Sequence, residues 1–369
     1  MHVLVVTPFG KHGRGGVDRM TDIIRRDARE NPDTRFRLHF VASRGPGSIW
    51  LSPFYLVRAA FVLLGLRAIG RLDLVHINIV QRGSTLRKLI LVYLARLVRT
   101  PYVLHLHGSL YRQYWESVPP WLSARIRSAF EHAANVIVLG AVWRALLATK
   151  APRARTTIVQ NATYAPKVGR EHADSSEPVH ILFLGQIGGR KGTPDLIQAL
   201  ARLKTTKPWR VTLAGNGQVQ AARQQIASLG LAERVDVPGW VGPEEVERLL
   251  GDADILVLPS HDENLPLSVI EGMGYGLAVV TTPVGSVPDI IEDGRTGLLH
   301  PPGDVVALSE ALERVIGSSA FRAQLGSAAR EFHSSHLSVD TYIRRLKALW
   351  FASVPSHREP PAAQDYPTP

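Results

Sequence analysis

Two glutamates in the second half of the chain, Glu263 and Glu271, are the residues best suited by type and spacing to do chemistry. They follow an apolar run, Ile255–Leu258, whose length and branching predict a fully buried parallel strand. Glu263 lies in the short polar loop after this strand, and Glu271 lies inside the helix that Pro266 is suited to begin. In an open α/β sheet, ligands bind where strands end, beside helix N-termini that favour anions. Two carboxylates there predict a ligand that offers hydroxyls as well as phosphates, such as a nucleotide sugar.

An isolated pair of glutamates with this spacing is more often solvated surface charge. Whether this pair binds a ligand is therefore judged from the neighbouring residues. Arg190 and Lys191 follow a predicted strand, His180–Gly185, in a glycine-rich segment that leads into a helix. Basic residues beside glycines at a strand end are what a diphosphate requires, although lysine and arginine are also common on plain loops. We favour phosphate binding.

The beginning of the chain has the same order of strand, glycine-rich loop and helix. His2–Pro8 is the predicted strand, Gly15 and Gly16 end the loop, and a helix is expected near Val17–Arg29. This order can cradle a phosphate, with a flexible turn as the alternative. The glycines are not in the G-x-G-x-x-G register and no matching acidic residue follows. An NAD(P)-dependent oxidoreductase, which is also doubly wound, is therefore the weaker alternative.

One histidine, His107, ends another predicted buried strand, Pro101–Gly108. A lone histidine at a strand end is usually structural, but this position is also where doubly wound sheets bind ligands. His105, two residues earlier, points to the same side of the sheet, and we interpret it as a packing residue.

The segment from Gly239 to Asp304 carries a longer pattern than any single motif. It contains the Glu263 and Glu271 pair, then the run Ala278–Asp289, then a second glycine-rich turn. Over this length it resembles the donor-binding half of the family-4 retaining glycosyltransferases, which have the GT-B fold. The resemblance implies an α/β fold with two Rossmann-like, doubly wound domains that face a cleft. It also implies transfer of a sugar from a nucleoside-diphosphate sugar to an acceptor hydroxyl, with retention of configuration.

The resemblance implies roles for individual residues as well. Glu271 would accept hydrogen bonds from the ribose, Glu263 would hold sugar hydroxyls and stabilise positive charge at the anomeric carbon, and His107 would contact the donor sugar. Relatives carry an arginine where this chain has Gln186, and Arg190 is expected to supply that charge. The diphosphate would be held without a metal or any other cofactor. The residues expected to hold it are Arg190, Lys191, Leu265, Leu267, Gly15 and Gly16.

Domain boundaries and the absence of a metal site are further expectations. An acceptor-side domain is predicted over residues 1–165 and a nucleotide-sugar domain over 175–334, with a polar linker at Tyr164–Pro178. A helix at 335–352 is expected to pack back on the first domain, and the tail at 353–369 is expected to be disordered. Asp252 and Asp254 have the spacing of a metal-binding pair, but they precede their strand, so no metal is expected there.

Positive charge is concentrated in the first half of the chain. The net charge is +11, but residues 1–165 have 24 basic and 8 acidic residues, whereas residues 166–369 have 19 and 24. No nucleic-acid-binding module is visible, so an anionic membrane surface is the better partner. Ile49–Arg71 and Leu86–Arg99 interleave basic and large apolar residues, with Lys88, Arg96 and Arg99 predicted on one face. Charges interrupt both stretches, so neither is expected to span a bilayer; core-covering helices with snorkelling basic residues are the alternative.

The expected location follows from these features. The chain has no cysteine, and Met1–Thr7 leads directly into a strand rather than a signal peptide, which favours a reducing compartment. We expect a cytoplasmic enzyme attached peripherally to the inner face of the cell membrane. Its acceptor is expected to be a lipid-linked saccharide in cell-surface or exopolysaccharide biosynthesis. A catalytically silent GT-B scaffold at the membrane is a further alternative.

Overall fold

The computed structural model describes residues 1–10, 15–166 and 178–355. The chain divides into two compact units. Unit 1 contains Met1–Val138, Arg144–Val159 and the chain from Ile343 onward, and unit 2 contains Leu139–Trp143 and Gln160–Tyr342. Most of the linker and of the tail predicted from the sequence lies outside the described residues.

Unit 1 is built on one sheet of six parallel strands in the order β2-β1-β3-β4-β5-β6. The central strands are short and largely apolar, and every residue of β3 and β4 is buried, as expected for a parallel sheet covered on both faces. The strand order reverses between β1 and β3, which is the switch point where such sheets bind ligands. In chain order, the elements to Ile158 are β1 (His2–Thr7), α1 (Gly16–Glu30), β2 (Arg37–Ala42), α2 (Ser52–Ala68), β3 (Leu74–Ile79), α3 (Gly83–Leu97), β4 (Tyr102–Leu106), α4 (Tyr111–Ser117), α5 (Pro120–Glu131), β5 (Asn135–Val138), α6 (Ala141–Lys150) and β6 (Thr156–Ile158).

Unit 2 has a second sheet of six parallel strands in the order β12-β11-β10-β7-β8-β9. The order of the strands reverses between β7 and β10, and these two parallel strands are direct neighbours, with Ile181 paired to Ile255. The elements are β7 (Val179–Leu184), α7 (Thr193–Ala201), β8 (Trp209–Ala214), α8 (Val219–Ser228), β9 (Val235–Gly239), α9 (Pro243–Asp252), β10 (Ile255–Leu258), α10 (Leu267–Gly274), β11 (Ala278–Thr281), β12 (Leu298–Leu299), α11 (Val305–Gly317), α12 (Ser319–Phe332) and α13 (Val339–Ser353). Helix α13 ends among the residues of unit 1, where Trp350 Nε1 donates a hydrogen bond to His76 Nδ1 at 3.0 Å. The predicted fold class, α/β with two doubly wound Rossmann-like sheets, is confirmed.

The first basic apolar stretch differs from its prediction. A 3₁₀ turn at Ile49–Leu51 runs directly into α2, so that Ile49–Ala68 forms 20 continuous helical residues. An 18-residue window of this segment has a mean hydropathy of 1.8, and only 17% of that window is buried. By length and composition this helix is sufficient to cross a membrane, so the prediction that the charges leave too short an apolar stretch is wrong. Arg58 and Arg67 lie within this segment, but the apolar residues around them keep its mean hydropathy high.

The second stretch also needs a correction. Lys88 is fully buried, and its Nζ donates to Ser84 Oγ at 3.0 Å within α3. Burial, followed by the charge of Arg87, lowers the pKa of Lys88 to about 7. Lys88 therefore belongs to the interior of unit 1, and the prediction that it shares a lipid-facing surface with Arg96 and Arg99 is wrong. Helical spacing alone did not show which face of α3 packs against the sheet.

Candidate active site

Unit 2 brings three of the predicted site residues together at its switch point. Arg190 and Lys191 lie in a short 3₁₀ turn, Gly189–Lys191, that follows β7. Glu263 lies in the loop that follows β10. Because β7 and β10 are neighbouring parallel strands, both loops leave the same edge of the sheet.

Glu263 is the centre of this cluster. Its side chain is 10% exposed, and Oε1 is in direct contact with Lys191 Nζ. The same oxygen accepts a hydrogen bond from Ser260 Oγ at 3.3 Å and lies 3.8 Å from Arg190 Nη1. Two cations therefore face one carboxylate oxygen. Lys191 and Glu263 are mostly buried, where a charge pair is stronger than in water, whereas the Arg190 side chain is 47% exposed.

The turn that carries the cations is packed against the loop that carries Glu263. Gly192 has φ +68°, and a Cβ there would lie 1.9 Å from Pro259 O, so only glycine fits this approach. The amide of His261 donates to Arg190 O at 2.9 Å, and His261 Nε2 lies 2.6 Å from Asp195 Oδ2. These contacts fix the distance between Lys191 and Glu263.

A second glycine supports the same loop from the side of β11. Gly285 has φ +59°, and a Cβ there would lie 2.1 Å from Glu263 O. The next amide, of Ser286, donates to Asn264 O at 2.7 Å, and Asn161 Nδ2 donates to Leu265 O at 2.8 Å. The backbone from Glu263 to Leu265 is therefore held from two sides.

Helix α10 carries the remaining candidates of unit 2. Leu267 is its first residue after Pro266, where helix amides lack intrahelical acceptors, and Leu265 is buried just before it. Glu271 lies further along α10 and is 8% exposed. Burial, the charge of Glu247 and then that of Glu271 raise the pKa of Tyr275, so the Glu271 carboxylate lies near this phenol.

The candidates of unit 1 lie at the carboxyl edge of its own sheet. Gly15 is the N-cap of α1, its carbonyl accepts from the amides of Asp18 and Arg19, and Gly16 is the first residue of the helix. His107 directly follows β4, and its Nε2 lies 2.8 Å from Asn78 Oδ1. The rest of the loop between Gly10 and Gly15 lies outside the described residues.

Several contributing residues were not predicted from the sequence. Ser260, Asn161 and the pair of Asp195 and His261 hold the loops of the cluster, and Asn78 holds His107. Ser260 and His261 stand beside Glu263 in the chain, which was the available signal. Asn161 and Asn78 come from distant segments, and no local pattern links them to the site.

Asp252 and Asp254 lie at the opposite end of β10 from Glu263. Asp252 pairs with Arg248 at 2.6 Å, and Asp254 Oδ2 accepts from the amide of His180 at 2.8 Å. Across residues 1–10, 15–166 and 178–355, no three histidine, cysteine, aspartate or glutamate side chains group closely enough to hold a metal ion. A metal-independent reaction stays a prediction.

Two family models match the chain in tandem. Residues 1–162 match the glycosyl transferase 4-like domain, and residues 167–332 match the glycosyl transferases group 1 domain. The second match contains Arg190, Lys191, Glu263 and Glu271.

Curated and solved relatives agree with these matches. Glycogen synthase of Mycobacterium tuberculosis is 30% identical over 185 residues, which are 50% of this chain and 45% of that protein. The amylovoran biosynthesis glycosyltransferase AmsK of Erwinia amylovora is 32% identical over 162 residues, 42% of this chain and 40% of that protein. The matched stretch thus spans less than half the length of these relatives.

A solved structure extends the likeness to nearly the whole chain. The Anabaena protein HepE in complex with UDP superposes with a TM-score of 0.74 at 19% identity, covering 94% of this chain and 99% of that one. At this identity the likeness concerns the fold, which is that of the two sheets described above. The chain therefore belongs to the group 1 glycosyltransferases and is an enzyme with the two-domain GT-B fold.

Proposed function

We propose that the protein transfers a sugar from a nucleoside-diphosphate sugar to an acceptor hydroxyl with retention of configuration. The observation that carries this proposal is the cluster of Lys191, Arg190 and Glu263 at the switch point of unit 2. It combines cations suited to a diphosphate with a carboxylate suited to sugar hydroxyls. The solved complex of HepE with UDP supports a nucleotide ligand for this fold.

The direct contact between Lys191 and Glu263 gives the cluster a specific task during binding. Without a donor, each charge neutralises the other. A diphosphate would draw Lys191 and Arg190 towards its own oxygens and leave Glu263 free for the hydroxyls of the sugar. As the leaving group departs, the cations would stabilise the diphosphate, and Glu263 would stabilise the positive charge at the anomeric carbon.

The other candidates have supporting roles in this proposal. Glu271 would accept hydrogen bonds from the ribose, and the amides of Leu265 and Leu267 would donate to the phosphate or sugar. Gly15 and Gly16 would close over the diphosphate, and His107 would contact the sugar. No metal or other cofactor is required, because Lys191, Arg190 and backbone amides can neutralise the leaving group.

The donor and the stereochemistry can be tested together. The purified protein is screened for thermal stabilisation by UDP-, GDP- and ADP-sugars, since a ligand that binds only the folded state raises the melting temperature. The stabilising donor is then used for transfer, and the anomeric configuration of the product is read by NMR. Inversion would refute the retaining mechanism. Donor binding without any transfer to a range of acceptors would favour a silent scaffold. The family matches leave no support for the oxidoreductase alternative.

We further propose that the protein is cytoplasmic and that unit 1 attaches it peripherally to the anionic inner leaflet of the cell membrane. The support is an exposed apolar stripe along one face of the first stretch, which includes Trp50 (87% exposed), Phe54 (67%) and Phe61 (71%). The opposite face packs on unit 1 through Ala59 and Leu63, which are fully buried. Because α2 also packs against α3 and β2, it is held along the unit, which favours lying in the interface over crossing the bilayer.

A neighbouring groove supports a lipid-linked saccharide as the acceptor. It has a volume of about 580 Å³ and lies beside α2, which contributes Tyr55 and Arg58 to its wall. Among the described residues that line it, five are basic and only Asp33 is acidic. The basic residues are Arg25, Arg29, Arg37, Arg58 and Lys347. Because basic residues predominate, the groove suits the phosphate of a lipid-linked saccharide that enters from the membrane. We propose such an acceptor for a role in cell-surface or exopolysaccharide biosynthesis.

Liposome sedimentation tests the attachment. The wild type should sediment with anionic vesicles at low salt and remain in the supernatant with neutral ones, since each basic residue near anionic lipid contributes about 1 kcal/mol. Changing Arg58, Arg67 and Arg99 to Gln should reduce sedimentation. The matched control changes Arg202, Lys204 and Lys207 of unit 2 to Gln and should sediment like the wild type. Wild-type protein that stays soluble with anionic vesicles would refute the attachment, and extraction only by detergent would indicate a spanning helix.

A further inference from the structure

Asn78 makes two hydrogen bonds that together fix the orientation of its amide. It lies on β3, is 5% exposed, and its Nδ2 donates to the carbonyl oxygen of Val6 on β1 at 3.1 Å. Its Oδ1 lies 2.8 Å from Nε2 of His107, which directly follows β4. The side chain thus crosses from the first strand of unit 1 to the histidine at the end of the fourth.

The carbonyl of Val6 excludes the flipped amide. A flip would place Oδ1 against the carbonyl oxygen, so that two acceptors would face each other at hydrogen-bonding distance. Oδ1 must therefore face His107, and since this oxygen only accepts, His107 Nε2 must carry the proton. In the neutral ring the other nitrogen, Nδ1, is then an acceptor.

The surroundings of His107 keep the ring neutral. Burial, followed by the charge of His76, holds the pKa of His107 well below the usual value. The ring of His105 lies against it at a centroid separation of 3.9 Å and a tilt of 35°, and burial also lowers the pKa of His105. His76 accepts from Trp350 through Nδ1 and packs edge-on against His105. Among the described residues, His105 and His76 therefore face His107 as neutral rings near pH 7, and His76 would repel a proton on His107 only if it were itself protonated.

We infer that Asn78 is a positioning residue, which sets His107 in the Nε2–H tautomer so that Nδ1 accepts a hydrogen bond from a hydroxyl of the donor sugar. This inference rests on the proposed function for its substrate and on unit 1 alone for its geometry. Asn78 has no part in the sequence resemblance, and it acts through His107 rather than on the sugar.

The tautomer is measured first, on the wild-type protein without ligand. Nitrogen-15 spectra of histidine-labelled protein, with His107 assigned by its loss in His107→Gln, should show a protonated Nε2 and a bare Nδ1 near neutral pH. A proton on Nδ1 would overturn the inference. This result does not depend on whether the protein transfers a sugar, so it remains informative if the proposed function fails.

The consequence is measured with Asn78→Asp. A carboxylate accepts from Nε2–H more strongly and favours the doubly protonated ring, in which Nδ1 donates instead of accepting. Its second oxygen faces the carbonyl oxygen of Val6, so the melting temperature of the variant is measured together with its activity. At about pH 7, kcat/KM for the donor sugar should fall about tenfold or more, and it should recover as pH rises and the ring loses its proton. Affinity for the free nucleoside diphosphate should not change.

Asn135→Asp is the matched control, because Asn135 is the first residue of β5 and lies at the amino-terminal end of the strands, whereas His107 follows the carboxyl end of β4. It introduces the same charge into the same sheet away from His107. Equal pH profiles for the two variants, or equal losses of nucleotide affinity, would show that Asn78 acts only on the stability of unit 1 and would overturn the inference.

Discussion

Buried neutral histidines should make the protein sensitive to mild acid, and His76 allows the effect to be calculated. His76 lies on β3, is fully buried and accepts a hydrogen bond from Trp350, and burial lowers its pKa to about 4. In the unfolded chain the ring would titrate near its ordinary value of about 6.5. The unfolded state therefore binds a proton that the folded state does not, and stability falls as pH drops below the unfolded pKa.

The size of the effect follows from linkage. A difference of about 2.5 pKa units corresponds to about 3.4 kcal/mol once pH is below the folded pKa, and to about 1.4 kcal/mol at pH 5.5. Above about pH 7.5 the group contributes almost nothing to the pH dependence, because both states are then neutral. His180 and His333 in unit 2 also have pKa values lowered to about 4 by burial, so both units should lose stability over the same range.

Urea unfolding at about pH 7.5 and pH 5.5 measures this directly. His76→Gln keeps an acceptor for Trp350 but cannot titrate, so its loss of stability between the two values should be smaller than that of the wild type by about 1.4 kcal/mol. The same change at His132, which is exposed at the end of α5, serves as the control. If His76→Gln loses as much stability on acidification as the wild type, the ring is protonated in the fold and this reasoning fails.

Three further predictions concern unit 2. Glu271→Ala should weaken binding of the preferred nucleoside diphosphate by about 1.5–3 kcal/mol, the cost of losing a charged hydrogen-bond acceptor, and calorimetry that shows unchanged affinity would remove its ribose role. Gly285→Ala should lower the melting temperature and transfer activity together, because its Cβ would lie 2.1 Å from Glu263 O at a positive φ. Gly294→Ala is the control: its φ is +76° and nothing lies within 4 Å of the added Cβ, so its loss of stability measures the effect of the positive φ without the clash. Activity should survive EDTA, and complete loss restored by Mg²⁺ or Mn²⁺ would show that the diphosphate needs a metal.

The parts of the fold that sequence predicted well are those where local signals agree. The apolar run Ile255–Leu258 matches β10, and the expected helix after Pro266 is α10, which contains Glu271. The last helix, predicted at 335–352, corresponds to α13 at Val339–Ser353, so its end is predicted within one residue and its start within four. In each case a short apolar strand or a helix-starting residue marks the boundary without help from the rest of the chain.

The parts that sequence missed depend on tertiary packing. Lys88 shares helical spacing with Arg96, but only the folded unit shows that the lysine points inward to Ser84. The contact of Lys191 with Glu263 joins residues 72 positions apart and needs β7 beside β10. Asn78 and His107 likewise meet only because β3 and β4 are neighbours. These pairings set the chemistry of the site, and no spacing along the chain encodes them.

If Lys191 holds the donor diphosphate, its replacement in Lys191→Met should weaken nucleotide binding, which calorimetry measures. The preferred nucleoside diphosphate is titrated into the wild type, into this variant and into Lys207→Met, whose lysine is exposed on unit 2. Loss of a charged hydrogen-bond donor should weaken affinity by about 1.5–3 kcal/mol, or roughly 10- to 150-fold, while Lys207→Met should bind like the wild type. Affinity in Lys191→Met equal to that of the wild type would contradict the account, since Lys191 would then serve only to neutralise Glu263.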